Sequence, residues 1–395
     1  MRKLLNLRAE QLIKELKEIE VAPESYPIFL KKANYHIIKI THLSAAQANI
    51  LKQTGLVCGA DVAIPKDAYF GSRKRKFSVL IFANTREIEK MINRLSEQPW
   101  MEQISNALSE AVKLPAIPVL KIGNEEIQFQ RTYIMGVINL TPDSFYSGSR
   151  YTTISTIKKV IEEMEQEGAD FVDIGAESTR PGAKILSEKE EIERLKSVLP
   201  MAIRTTKIPI SVDTYKAETA KFALDLGVRI INDISGLGFY RLNKKLAKTI
   251  ARYRACVVIM HIKGTPETMQ INPQYENLME EIGDYLRERI DFALDTGIDF
   301  NKIIIDPGLG FGKRLEDNYE IIERIGELKI FNRPIMAGHS RKSFIGNPFN
   351  LPPEQRLEGT LGVEALLIKN GASIIRVHDV AEARKVARLI DEIVK

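Results

Sequence analysis

Cysteine is nearly absent from this chain of 395 residues: Cys58 and Cys256 are the only two. Their separation fits neither a disulfide framework nor a metal knuckle, which excludes a disulfide-stapled fold and suits a reducing compartment. Long hydrophobic runs are missing as well. None approaches the roughly 20 residues that span a bilayer. The opening MRKLLNLRAEQLIKELKEIE alternates charge with leucine and has no uncharged stretch of the kind found in a secretory signal. These absences predict a cytoplasmic protein. No Gly-x-Gly-x-x-Gly follows an early strand, so the usual nucleotide fingerprint of an open doubly wound sheet is missing. Charge of one sign is also scarce. The net charge is +5, and nearly all of the excess lies in residues 1–130, much of it in GSRKRK, Gly71 to Lys76. The plainest reading of that run is a solvated turn before the strand FSVLIFA. No nucleic-acid motif accompanies it.

What is present is a pattern that begins near residue 130. Short apolar runs end in polar residues, and each is followed by a segment of helical period. The runs are YIMGVINL, DFVDIG, IPISVD, RIINDI, CVVIMH, IIIDPG, RPIMAG and SIIRVH. Amphipathic stretches such as STIKKVIEEMEQEG and EGTLGVEALLIKNG lie between them. Several close on Gly168, Gly227, Gly297 or Gly371, the residue type that terminates helices in the left-handed conformation. Runs that are apolar on both faces read as parallel strands covered by helices. Eight alternations predict an α/β fold, a (β/α)8 TIM barrel over residues 126–395. Residues 1–125 read as a separate small α/β domain. Within them HIIKIT and FSVLIFA are strands, and SAAQANILKQTG and TREIEKMINRLSEQ are helices. Residues 111–130 read as a connector with a short hairpin.

In such a barrel the chemistry gathers at the C-terminal ends of the strands. That places Asn139, Asp173, Asp213, Asn232, His261, Asp306, Ser340 to Ser343, Arg376 and His378 around one mouth. Any one of these could be a cap or turn residue. Polar endings on all eight strands point to a site. Asp213 and Asp306, beside Asn232, are carboxylates that burial obliges to be paired or hydrogen-bonded. They lack His or Glu at ligand spacing, so a ring rich in N–H donors, such as an aminopyrimidinone, suits them better than a metal pair. The other side is basic and donor-rich: Ser178, Thr179 and Arg180 in STRPG, Ser340, Arg341, Lys342 and Ser343 in HSRKS, and Arg376 with His378 in RVHD. Hydroxyls with Lys, Arg and His suit a di- or triphosphate. Asn139 can give one neutral oxygen to Mg2+, which needs few protein ligands when phosphates supply the rest. His261 reads more simply as a structural histidine.

With these residues assembled, the sequence resembles the dihydropteroate synthase family. MGVINLTPDSFYSGS, GADFVDIGAESTRPGA, PISVDTYKAETAKFALDLGVRIINDISG, VIMHIKGTPETMQ, IIIDPGLGFGK, AGHSRKSFIG and IIRVHDV match the family's blocks in order, over about residues 131–395. The resemblance implies a transferase of folate biosynthesis that joins 7,8-dihydropterin pyrophosphate to 4-aminobenzoate and releases pyrophosphate, with Mg2+ as cofactor. It implies that Asp213, Asn232, Asp306 and Lys342 hydrogen-bond the pterin, and that Arg376 stacks on its ring and helps close the pyrophosphate site. Asn139 would contact the metal. Asp143 remains in the first loop. Thr179, Arg180, Ser343 and His378 would surround the phosphates and the incoming amine. Pro181, Phe311, Ser343 and the Lys342 stem would shape the aminobenzoate pocket. The family implies a dissociative reaction and a homodimer built through barrel helices, with no membrane or nucleic-acid partner.

Two positions depart from the family pattern. Ser147 stands where the first loop commonly carries a second Asp that helps close it around Mg2+. Ala176 stands where Gly is common. Two rival readings follow. A pterin-binding methyltransferase barrel shares the Asp/Asn pole but has no need of the STRPG, SRKS and RVH phosphate groups. A non-catalytic pterin-binding protein is favoured by Ser147 alone. The sequence assigns no role to residues 1–125.

Overall fold

A computed structural model describes residues 4, 7–71, 75–113, 117–140, 154–178 and 185–394. The chain forms two compact units, residues 1–114 and 115–395. The division falls before the hairpin of residues 119–128, so that hairpin belongs with the barrel. The sequence reading divides the chain between residues 125 and 126, inside that hairpin, because the hairpin's residues read as a connector.

Unit 1 carries a three-stranded antiparallel sheet in the order β1–β3–β2, with β1 at Tyr35–Leu43, β2 at Asp61–Ala63 and β3 at Phe77–Asn84. The alternating burial of β3 sets its Phe77, Val79, Ile81 and Ala83 into one core. The helices Ala45–Cys58 and Thr85–Ser96 cover that face, joined by the helix Glu102–Val112. This third helix lies in a stretch that the sequence reading left partly in the connector. Ser44 and Asn84 each start a helix with a reciprocal cap, accepting from the N–H of Gln47 and Glu87 respectively.

Unit 2 begins with the hairpin β4 (Val119–Ile122) and β5 (Glu125–Gln128). Eight parallel strands follow: β6 (Tyr133–Asn139), β7 (Phe171–Gly175), β8 (Ile210–Asp213), β9 (Ile230–Asp233), β10 (Cys256–Met260), β11 (Ile303–Asp306), β12 (Met336–Ala337) and β13 (Ile374–Val377). They pair in the order β11-β10-β9-β8-β7-β6-β13-β12, and a parallel bridge from Ile305 to Ile335 closes the ring. This is the (β/α)8 barrel expected from the alternating runs. The period-two geometry of a strand divides its residues between two cores. Outward residues such as Ile134, Val172, Val212 and Ile375 pack on the surrounding helices. Inward residues Met135, Phe171, Ile230, Cys256, Val258, Ile304, Met336 and Ile374 fill the interior. Cys256 is thus a small core residue, and burial pushes its thiol up to about 12.

The hairpin seals the bottom of that interior. Leu120 and Ile122 join the same apolar cluster as the inward barrel residues, with Phe129 and Tyr133 packed against it. Lys302 fixes the hairpin by donating to the Lys121 carbonyl at 2.9 Å. Leu120 is fully buried. Leu120→Ala is expected to cost about 2–5 kcal/mol by urea denaturation, the range for emptying a close-packed core position. Ligand affinity at the opposite end should be unchanged.

Candidate active site

The upper inward positions of the barrel change abruptly from apolar to polar. Asn139, Gly175, Asp213 and Asn232 run in register across β6 to β9. A largely buried arginine on β13 organises the group. Arg376 donates from Nε to Asp173 Oδ2 at 2.7 Å and from Nη2 to Asp213 Oδ2 at 2.9 Å. Asp173 Oδ2 also accepts from Asn232 Nδ2 at 2.9 Å. Burial opposes the charge of Arg376, but Asp173 and Asp213 outweigh it and raise its pKa. One guanidinium cannot neutralise two carboxylates fully. Burial first, then the neighbouring Asp173, drives Asp213 up to about 7 despite the arginine.

Gly175 keeps this mouth open. A Cβ there would stand 3.4 Å from the Asp213 Cβ and 3.6 Å from Asn139 Oδ1. Any larger residue would fill the space between two of the candidate site residues.

The opposite wall is the loop after β11. Asp306, buried, has its pKa raised by burial, against the N–H of Gly308 that donates to it at 2.6 Å. Gly308 has a φ of +68°, and a Cβ on it would meet the His261 carbonyl at 2.0 Å, so only glycine fits this turn. Two lysines fasten the loop. Lys342 Nζ donates to the Leu309 carbonyl and lies 4.4 Å from the centre of the Phe311 ring. Lys313, buried on the other side, reaches His261 Nδ1 at 2.9 Å and the Phe311 carbonyl at 3.0 Å. Burial lowers Lys342 to about 8 and Lys313 to about 7. His261 is held well below its usual pKa, by burial and then by Lys313. It is a buried structural histidine with its ring edge-on to Tyr285.

The basic groups read from HSRKS and RVHD separate into two sets. Lys342 reaches the loop after β11, and the exposed Ser343 begins the short helix that follows β12. Arg341 instead binds Asp379 through two bonds of 2.8 and 2.7 Å, a fork that fixes the loop and leaves it little capacity for phosphate. His378, exposed, is tied through Nδ1 to Ser340 Oγ at 3.0 Å. Asp143, Ser147, Thr179, Arg180 and Pro181 lie outside the described residues.

Sequence reasoning passed over Glu177. It sits two residues past the β7 end and accepts from Leu186 N at 2.6 Å, Tyr215 Oη at 2.8 Å and Lys216 Nζ at 2.6 Å. Lys216 is shared with buried Glu191 at 3.0 Å. An acid just past a fully buried strand was the available signal. Its partners come from the β8 loop and from beyond residue 185, which no local pattern reveals.

The arrangement offers hydrogen-bond acceptors from Asp213, Asn232 and Asp306 and a cation at Lys342, walled by Phe311. Among the described residues no group of three or more His, Cys, Asp or Glu could hold a metal ion.

A family profile described as "Pterin binding enzyme" matches residues 135–378. A dihydropteroate synthase of Clostridium beijerinckii is 42% identical over 278 residues, covering 70% of this chain and 100% of that protein. A dihydropteroate synthase of Xanthomonas albilineans, solved with 4-aminobenzoic acid, is 35% identical with a TM-score of 0.64, covering 70% of this chain and 98% of that one. A bifunctional dihydropteroate synthase/dihydropteroate reductase of Helicobacter pylori is 32% identical over 351 residues, covering 88% of this chain and 87% of that protein.

The electrostatics set a pH dependence. Asp213, protonated below about 7, lacks the carboxylate that accepts ring N–H groups. Affinity for 6-hydroxymethylpterin, measured by calorimetry, is expected to rise from pH 5 to 7.5. Asp213→Asn should flatten that limb, and a flat wild-type profile would contradict the assignment. Lys342→Ala should weaken pterin binding by about tenfold or more, since the charged partner of a buried acceptor cluster is lost.

Proposed function

Because the chain belongs to the dihydropteroate synthase family, we propose that it condenses 7,8-dihydropterin pyrophosphate with 4-aminobenzoate, giving 7,8-dihydropteroate and pyrophosphate. The observation that carries the reading is the acceptor pole of the buried Asn232 and Asp306 with the nearly buried Asp213, which is held by Arg376 of the RVHD block. The pterin edge, with its ring N–H and amino donors, meets these acceptors, and Lys342 donates to the ring oxygen. Arg376 covers the ring and turns toward the pyrophosphate. Ser343 and His378, with Thr179 and Arg180, hold the phosphates, and Asp143 belongs to the first loop of the catalytic set. Phe311, Pro181 and Ser343 frame the aminobenzoate.

Asn139 would hold Mg2+ carried by the pyrophosphate, and the ion would supply positive charge to the leaving group. The chain's own part is electrostatic. The C–O bond breaks with its electron pair leaving on pyrophosphate, whose charge Lys342 and Arg376 stabilise as it develops. The resulting cation is shared over the pterin ring, beside the carboxylates of Asp213 and Asp306. The amine nitrogen then bonds to the methylene carbon and releases its proton to solvent. No general base is required, because the neutral arylamine is itself the nucleophile.

The exposed Leu366, Leu389 and Ile393 on the helices Leu357–Asn370 and Val380–Val394 support a homodimer through these barrel helices. No helix among the described residues is long and apolar enough to cross a membrane, and two unpaired cysteines support a cytoplasmic location.

A second activity is favoured by a separate observation. The Helicobacter pylori alignment covers more residues than unit 2 contains, so it runs well into unit 1, whereas the Clostridium alignment is short enough to fit within unit 2. We propose that the full chain is also a dihydropteroate reductase. A hydride and a proton would add across the C=N bond of dihydropteroate, with a reduced nicotinamide or reduced flavin as donor.

The synthase reading is tested by pyrophosphate release from dihydropterin pyrophosphate with Mg2+ and 4-aminobenzoate. Turnover is expected, and pterin binding without turnover at saturating substrates would sink it. Turnover would also dispose of the non-catalytic reading, under which only Ser147→Asp should bring activity up from near zero. For the reductase, dihydropteroate-dependent oxidation of NADPH by the full chain, with and without added FMN, is expected to yield tetrahydropteroate. Its absence under both conditions would overturn that assignment.

A further inference from the structure

Asp173 is fully buried beneath the mouth, too deep to meet the ring that the neighbouring residues are proposed to bind. Nevertheless it touches two of the residues that define the mouth. Its Oδ2 accepts from Arg376 Nε at 2.7 Å and from Asn232 Nδ2 at 2.9 Å. The second contact has a consequence for recognition. A carboxylate paired with a guanidinium has only acceptor oxygens to offer. Asn232 therefore turns its NH2 down to Asp173, and its amide oxygen is left for the other side. A lone asparagine could present either a donor or an acceptor to a ligand. Here the choice is fixed from below.

We propose that Asp173 is a positioning residue that sets the hydrogen-bond polarity of the pterin site, by turning Asn232 oxygen-outward and holding Arg376 in place. This rests on the pterin reading of the mouth. With Asp213 and Asp306 beside it, Asn232 completes an all-acceptor edge. Such an edge matches a ring bearing an amino group and ring N–H donors. It rejects the same ring with a carbonyl in place of the amino group, because two acceptors would then face each other with both desolvated. Arg376 has a parallel dependence. Without Asp173 its guanidinium has Asp213 as its remaining carboxylate partner among the contacts seen here, and Asp213 is the group the ring must engage.

The test compares two probes, 6-hydroxymethylpterin and lumazine, the 2-oxo analogue of pterin, by calorimetry on the full chain. Wild type is expected to prefer the pterin strongly. Asp173→Asn frees Asn232 to rotate, and the pterin-over-lumazine ratio should fall by about tenfold or more, the scale of one misdirected buried hydrogen bond. KM for 4-aminobenzoate should stay within about twofold of wild type, since among the described residues Asp173 bonds to Arg376 and Asn232 and not to Phe311 or Ser343. The swapped pair Asp173→Asn/Asn232→Asp restores one carboxylate against one amide, with an acceptor still facing the ring, and should recover the preference. It also serves if the single variant fails to fold. A merely structural role predicts an unchanged ratio in Asp173→Asn, or a ratio lost in the swapped pair, and either result overturns the proposal. If wild type binds neither probe, the pterin reading itself fails, which is a distinguishable outcome.

Discussion

A single guanidinium shared between two buried carboxylates organises the upper end of this barrel. Arg376 cannot be withdrawn from Asp173 and Asp213 without leaving uncompensated charge in the interior, and a broken buried pair is far costlier than an absent one. The consequences run outward along the strands. Burial raises the pKa of Asp213, and Arg376 beside it is shared with Asp173, so it stays easier to protonate than an ordinary carboxylate. Asn232 is oriented by the same Asp173 oxygen. Four strands, β7, β8, β9 and β13, are thereby tied together at the level where a ligand would sit.

The rest of the barrel makes that cluster tolerable. Its lower interior is a dry apolar plug, closed from beneath by the hairpin of residues 119–128. A rigid floor keeps the charged layer from sinking or relaxing, and a site built on strand ends holds its geometry better than one built on loops. The β11 loop shows the complementary strategy. Lys313 with His261 anchors it from one side and Lys342 from the other. Burial depresses the pKa of both lysines, so their charge is easily shifted by whatever occupies the mouth.

In the proposed reaction, acceptors on β8, β9 and β11 would select a ring by its donors. The cations from β13 and the β12 loop would serve both the ring and the negative charge that appears only as the C–O bond opens, which is where catalytic stabilisation has its effect. The alignment of a bifunctional relative into unit 1 is the observation behind the second activity proposed above.

The eight strands, their apolar double faces and their polar endings were legible in the sequence because they follow from local periodicity. The glycines that close the helices were legible for the same reason, and Gly168, Gly227, Gly297 and Gly371 all take the left-handed conformation. Asp213, Asn232, Asp306, Lys342 and Arg376 could be picked out as residue types at strand ends. Their partners could not. That Arg341 is bound to Asp379 while Arg376 bridges Asp173 and Asp213 depends on which strands become neighbours when the ring closes. The helix Glu102–Val112 and the hairpin's place beneath the barrel were decided by packing that a connector-like sequence does not announce. The sequence determined which groups arrive at the mouth. Only the closed barrel decided which of them neutralise one another and which remain for a ligand, because that choice is made by contacts between residues up to about two hundred positions apart.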